Sequence, residues 1–326
     1  MKSNRNTSID FLRGLAVIFM IFIHVAAYFL SNQLLKTSWN YAQAAVPFFV
    51  FCAGYVYFAR TQEHIISLSY LWKRISRLLI PYYIFLIVYA IVFSLLGTEF
   101  NLNFWKKNLL MTSGIDLNWL IVLFIQLTIL MPILGWLYEK KKQIFWIVAG
   151  CFFTASFSLL FTKINLDKRM IVWISWPVIT IYSLLFAKNE KNTSFLIKSI
   201  VTGIGLHLLS LFLLQLQGKS LSFFDNKYPP NMLYMSYGVW SIALTYLVHA
   251  KSQLGKTPAQ KVFDYFSVNS YSLFFIHFLI VYLLVVTSLM YKWGFIPSLG
   301  VVFAASLVIQ QALTFALDQK KKRSRS

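Results

Sequence analysis

The chain has 326 residues, 58% of them hydrophobic, 18% aromatic and only 12% charged. Soluble domains average about 45–50% apolar and about 25% charged residues, so this composition excludes a water-soluble globule, a disordered chain and a secreted disulfide scaffold. The net charge of +20 would suggest nucleic acid in a soluble protein, but here it must be divided among the loops of a membrane protein, and no nucleic-acid partner is expected.

Apolar stretches follow one another at 9–31, 42–60, 73–96, 117–137, 143–162, 170–187, 195–215, 232–250, 268–290 and 295–316. A bilayer-crossing helix needs about 20 residues. The expected fold is therefore an all-α integral membrane bundle of about ten transmembrane helices. It forms one polytopic domain over 1–326 with a basic tail at 318–326.

The first stretch follows Lys2 and Arg5, and Val25-Ala26-Ala27 looks loosely cleavable. Asp10 and Arg13 at its start, and its run past Phe29, do not suit a signal core of about 7–15 residues, so it is read as a retained span. Asp10 and Arg13, at i and i+3, can pair. His24 follows eleven residues after Arg13, almost three turns on, which puts both on one face about 16 Å apart along the axis. Asp10 and Arg13 also suit interfacial anchors, and His24 a bonded packing residue.

The second stretch holds Val46-Pro47-Phe48-Phe49-Val50-Phe51-Cys52-Ala53-Gly54-Tyr55. Cys52 and, later, Cys151 lie in apolar runs and read as packing residues. The third stretch opens Lys73-Arg74-Ile75-Ser76-Arg77 and reaches Pro81. Arg74 and Arg77 share a face, and guanidinium forks suit phosphate oxygens. Snorkelling to lipid headgroups fits them equally well.

The fourth stretch contains Asn118-Trp119-Leu120 and Pro132. In the later ones His207 has no polar companion nearby and reads as packing, while His249 reads as interfacial. The ninth stretch carries Ser270-Tyr271-Ser272 and His277, a second intramembrane histidine. An ionisable group inside a membrane costs at least ~2.5–3.5 kcal/mol and marks a functional site by default. No histidines show metal-ligand spacing beside carboxylates, and no Gly-rich phosphate loop is present, so no metal site is expected.

Cytoplasmic loops carry the Lys and Arg excess. Alternate loops divide the basic residues 20 to 9, with Arg13 inside the first span. The richer set includes both ends of the chain, so both termini are expected in the cytoplasm of a cell that holds the protein in its inner or plasma membrane. The Asn192-Thr193-Ser194 sequon then faces inward and has no expected role.

Taken together, Asp10-Phe11-Leu12-Arg13-Gly14-Leu15-Ala16, His24, Val46 to Tyr55, Arg74 and Arg77 before Leu78-Leu79-Ile80-Pro81-Tyr82-Tyr83, Asn118 to Pro132, and Ser270 to His277 resemble the bacterial membrane acyltransferase family three. That family includes O-acetylases of surface polysaccharides. Ala53 stands where the family usually has Ser. The Lys227-Tyr228-Pro229-Pro230-Asn231 stretch is similar to the related heparan-glucosaminide N-acetyltransferases.

The resemblance implies an acyl-CoA co-substrate, most often acetyl-CoA, with no permanently bound cofactor. It also implies a surface glycan or glycolipid acceptor. Arg74 and Arg77 would hold CoA phosphates, with His277 also on the substrate side. His24 would be the base or form a covalent acyl intermediate; Arg13 would orient the site or stabilise CoA, and Asp10 would hold Arg13. Neutral imidazole, with a reference pKa of about 6.5, suits deprotonation of a sugar hydroxyl. A transporter or exporter of a polysaccharide or lipid-linked sugar would also show many spans, a basic inner face and buried His and Arg.

Overall fold

The computed structural model describes residues 6–61, 67–162 and 172–323, without the side chains of 172 and 320–323. Lys2, Arg5, His64, Lys163, Lys168, Arg169 and Arg325 lie outside the described residues. The described chain is helical: α1 Thr7–Ala26, α2 Gln33–Tyr41, α3 Ala45–Arg60, α4 Leu68–Leu95, α5 Leu102–Leu109, α6 Asn118–Lys140, α7 Lys142–Ser158, α8 Pro177–Asn189, α9 Thr193–Leu216, α10 Met232–Lys251, α11 Pro258–Val268, α12 Ser270–Val286, α13 Leu289–Trp293 and α14 Phe295–Arg323.

Each of the ten apolar stretches falls largely on helix, but fewer than ten helices are of spanning character. Six described helices are long and apolar enough, α2 and α3 counting as one, and the α11–α12 pair makes a seventh if its 80° bend interrupts a single span. The other three stretches form α7, of 17 residues, α8, of 13, and α10, of 20. Helix α8 begins only at Pro177, after a 3-10 turn at Val172–Ile174, and α10 is diluted by Tyr, Ser and His. The protein is a multi-pass membrane protein of helical architecture.

Three of the segments between the apolar stretches also contain helix, started by local residues. Asn32 accepts from the Leu35 amide at 3.1 Å and starts α2, Asn101 accepts from Phe104 at 2.9 Å and starts α5, and Pro258 sits in the first turn of α11. Such side-chain acceptors satisfy amides that a helix start leaves unpaired. The sequon asparagine does the same work: Asn192 accepts from the Phe195 amide at 3.2 Å and opens α9.

Contacts divide the chain into two compact units, 1–46 with 248–326, and 47–247. In the first, α1 lies against α11, α12 and α14. Gly14 permits the closest crossing: a Cβ there would stand 2.5 Å from the Phe263 carbonyl oxygen and 2.9 Å from its Cα. Phe11 stacks on His249 with centroids 4.4 Å apart and meets Phe263 at the same separation. Ser267 contacts Asp10, and His277 contacts His24, so α12 runs the same way as α1. Phe22 and Phe29 both meet Phe295, and Gln310 bonds Asn269; α14 therefore returns toward the end where α1 begins.

His249 is a brace at that end rather than an exposed interfacial residue. It is buried, and its Nδ1 lies 2.9 Å from Ser8 Oγ while its Nε2 lies 2.8 Å from Gln260 Oε1. The Gln260 amide nitrogen donates to Thr7 O and Asp264 Oδ1. Oε1 is thus an acceptor, His249 carries its proton on Nε2, and Ser8 donates to Nδ1.

In the second unit, Pro81 interrupts α4 and Pro132 interrupts α6. A proline lacks the N–H that would bond the carbonyl four residues back, which for Pro132 is that of Thr128. Tyr70 OH reaches that carbonyl at 3.4 Å and docks the start of α4 on α6. Gly54 gives α3 and α8 their close contact, since a Cβ there would fall 2.0 Å from Ser183 Oγ.

Candidate active site

Four of the residues singled out in the sequence belong to the first unit. Asp10 lies in the first turn of α1, where a carboxylate complements the helix dipole. It is only 7% exposed and accepts from Ser267 Oγ at 2.7 Å. Arg13 sits nearly one turn further on and is half-buried. His24 occupies the last turn of α1, on the same face as Arg13 by helical phase.

His24 and His277, read separately in the sequence, come together. His24 Nδ1 lies 3.0 Å from His277 Nε2, and His277 Nδ1 lies 2.8 Å from the Leu273 carbonyl one turn back on α12. The ring centroids are 5.1 Å apart, with the planes at 33°. Phe278 packs on His24 at 4.3 Å and Phe274 meets His277 at 6.1 Å. His277 is fully buried and His24 partly so, which leaves His24 as the member with access.

The α11–α12 bend sets this register. Asn269, between the helices, donates from Nδ2 to Tyr265 O at 2.9 Å and accepts at Oδ1 from Gln310 Nε2 at 3.0 Å. The bend is thereby tied to α11 before it and to α14 beside it. Ser267, just before the bend, holds Asp10, and His277, two turns after it, meets His24.

Arg74 and Arg77 belong to the second unit, in the first turns of α4, and both are exposed. The Arg74 guanidinium lies 5.7 Å from the Tyr70 ring centroid. The ring that covers the Thr128 carbonyl with its hydroxyl thus supports Arg74 with its face. Sequence spacing identified the arginines but not Tyr70, whose signal is the Pro132 four residues beyond Thr128. His207 agrees with the packing reading, with rings of Phe223, Tyr237 and Trp240 around it and Leu233 O 3.3 Å from its Nδ1. Among the described residues no cluster of His, Cys, Asp and Glu could hold a metal ion.

A buried cation in the loop before α10 is not evident from residue pattern alone. Lys227 is 4% exposed, with its ammonium 5.5 Å from the Trp119 centroid and 5.2 Å from that of Tyr228. Burial pushes its pKa down to about 8, against the opposing field of Asp116. The same burial raises the Tyr228 phenol well above its ordinary value.

No curated protein and no solved structure matches the chain significantly. A family model described as an acyltransferase domain matches residues 6–314, and the chain belongs to that family, acyltransferase family three.

Proposed function

Proceeding from that membership, we propose that the protein transfers an acyl group, in the simplest case acetyl, from cytoplasmic acyl-CoA to a hydroxyl of a cell-surface glycan or glycolipid. It does so in the inner or plasma membrane, with its apolar helices in the bilayer and both termini in the cytoplasm. The observation that carries the reading is the placement of His24, half-accessible near the end of a spanning helix and backed by a second imidazole at 3.0 Å.

His24 acts as general base. It takes the proton of the acceptor hydroxyl as that oxygen attacks the thioester carbonyl carbon. The carbon–sulfur bond breaks, and the departing CoA sulfur takes the proton from His24. A positioned base of this kind contributes about 10²–10⁴ in rate. Arg74 and Arg77 bind the phosphates of CoA, with Arg74 held on the Tyr70 ring. Arg13 supplies positive charge on the His24 face, and Asp10, fixed by Ser267, orients the start of that helix.

An exporter of a polysaccharide or lipid-linked sugar is the second reading, and the α11–α12 bend favours it, since broken spans line the sites of many transporters. Membrane vesicles containing the protein, incubated with labelled acetyl-CoA and a crude surface-glycan fraction, separate the two. Label in the glycan supports the acyltransferase; no label, with glycan export intact, supports the exporter.

A further inference from the structure

We infer that His277 is a positioning residue that fixes the tautomer of His24, so that Nε2 rather than Nδ1 of His24 is the proton-accepting nitrogen. The inference rests on His24 being the base. It follows from which groups can donate. The Leu273 carbonyl can only accept, so the His277 nitrogen 2.8 Å from it, Nδ1, carries the proton. A neutral imidazole has one N–H, so His277 Nε2 presents a lone pair. His24 Nδ1, 3.0 Å from that lone pair, must then be the donor. This leaves the lone pair of His24 on Nε2.

The chain Leu273 O, His277, His24 has one direction, set by a backbone carbonyl that cannot reverse its role. The alternative, a proton on His24 Nε2 and a lone pair on Nδ1, would face two lone pairs across 3.0 Å. Burial makes that arrangement costly, because no water reaches a fully buried His277 to relieve it.

When His24 takes a proton on Nε2 it becomes a cation that still donates from Nδ1. His277 Nε2 then accepts a charge-assisted bond, which is stronger than the neutral one. The contact therefore strengthens as the acceptor oxygen loses its proton, which is when added stabilisation raises the rate. Phe278 packs on His24 and Phe274 lies beside His277.

The test uses the full chain in lipid nanodiscs, labelled with ¹⁵N-histidine, and the variants His277→Leu, His277→Gln and His24→Ala. The His24 signals are those lost in His24→Ala. In the unaltered protein His24 Nδ1 should show the shift of a protonated nitrogen and Nε2 that of an unprotonated one. The amide of His277→Gln can donate to Leu273 and accept from His24, so this variant should keep the pattern and a kcat within about 3-fold, whereas His277→Leu should lose the pattern and about 10- to 100-fold in kcat, as loss of a histidine-orienting partner does. KM for acetyl-CoA should stay unchanged in both.

Protonated Nε2 and unprotonated Nδ1 in the unaltered protein overturn the inference, and that measurement stands even where His277→Leu fails to fold. So does an unchanged kcat in His277→Leu when His24→Ala is inactive. Full activity of His24→Ala instead overturns the assignment of His24 as base, while the tautomer is still decided by the spectrum.

Discussion

Replacing Gly14 by Ala tests whether the crossing of α1 and α11 sets the site. The new Cβ would stand 2.5 Å from the Phe263 carbonyl oxygen, 2.9 Å from its Cα and 3.0 Å from its carbonyl carbon. Ordinary contact begins at 3.4 Å, so α11 must retreat by about 0.9 Å. All three obstacles are backbone atoms, and no side chain can rotate away. Overpacking of this kind costs about 1–3 kcal/mol. The retreat also displaces Ser267 from Asp10, which it bonds at 2.7 Å, and shifts the bend that sets His277 against His24. A misplacement of about 1 Å can cost about 10²-fold in rate.

The assay follows loss of helix by circular dichroism during heating of the purified protein. Gly14→Ala should melt several degrees earlier and reduce acyl transfer. Gly150→Ala and Gly205→Ala, where a Cβ would meet nothing within 4 Å, should leave the midpoint unchanged or raise it by up to the ~1 kcal/mol by which Ala exceeds Gly in a helix. A midpoint and activity for Gly14→Ala equal to those of the unaltered protein would show that this crossing does not set the site.

Arg74→Ala and Arg77→Ala should each weaken acetyl-CoA binding about 10-fold or more, as expected for loss of a charge-assisted phosphate contact of about 1.5–3 kcal/mol; unchanged affinity in both, measured by equilibrium binding, would return them to headgroup anchors. Tyr70→Leu removes the ring under Arg74 and should raise the apparent Kd by a smaller factor, about 2- to 5-fold, in keeping with an exposed cation–π contact. Lys227 should make stability depend on pH. Its pKa is about 8 in the folded protein against an ordinary lysine value of 10.5, so the unfolded state binds more protons between these values and stability rises with pH there. The cost of burying the cation is fully present below about pH 8 and relieved toward pH 10.5. Lys227→Met should therefore melt at or above the unaltered protein at pH 7, and its advantage should shrink as the pH approaches 10; a constant difference would contradict the burial of a charged Lys227.

The candidate site residues were legible because a charge or an imidazole in an apolar helix is conspicuous. Asp10, Arg13, His24, Arg74, Arg77 and His277 all stand out on that ground. The pairing of His24 with His277 was not legible. His24 and His277 are separated by 253 positions, and nothing in either helix's periodicity indicates which partner it faces. His249 looked like a boundary residue because it ends an apolar run, yet Ser8 and Gln260, supplied by α1 and α11, make it a buried brace. Ten apolar stretches correspond to six or seven described helices of spanning length for a related reason. Apolar content locates helices but does not measure their length, and α8 and α7 are shortened by local turns that hydropathy does not register. Lys227 was hidden in a loop, because burial of a lysine there depends on Trp119, more than a hundred positions earlier.

The central claim is that His24 performs the proton transfer in an acyl transfer from CoA. The most direct measurement compares the unaltered protein with His24→Ala, purified into nanodiscs, for transfer of labelled acetyl from acetyl-CoA to a surface-glycan acceptor, with acetyl-CoA binding measured on the same samples. Donor binding should stay within error of the unaltered protein, and the transfer rate should fall by about 10²–10⁴. Equal rates of label incorporation by the two proteins would contradict it.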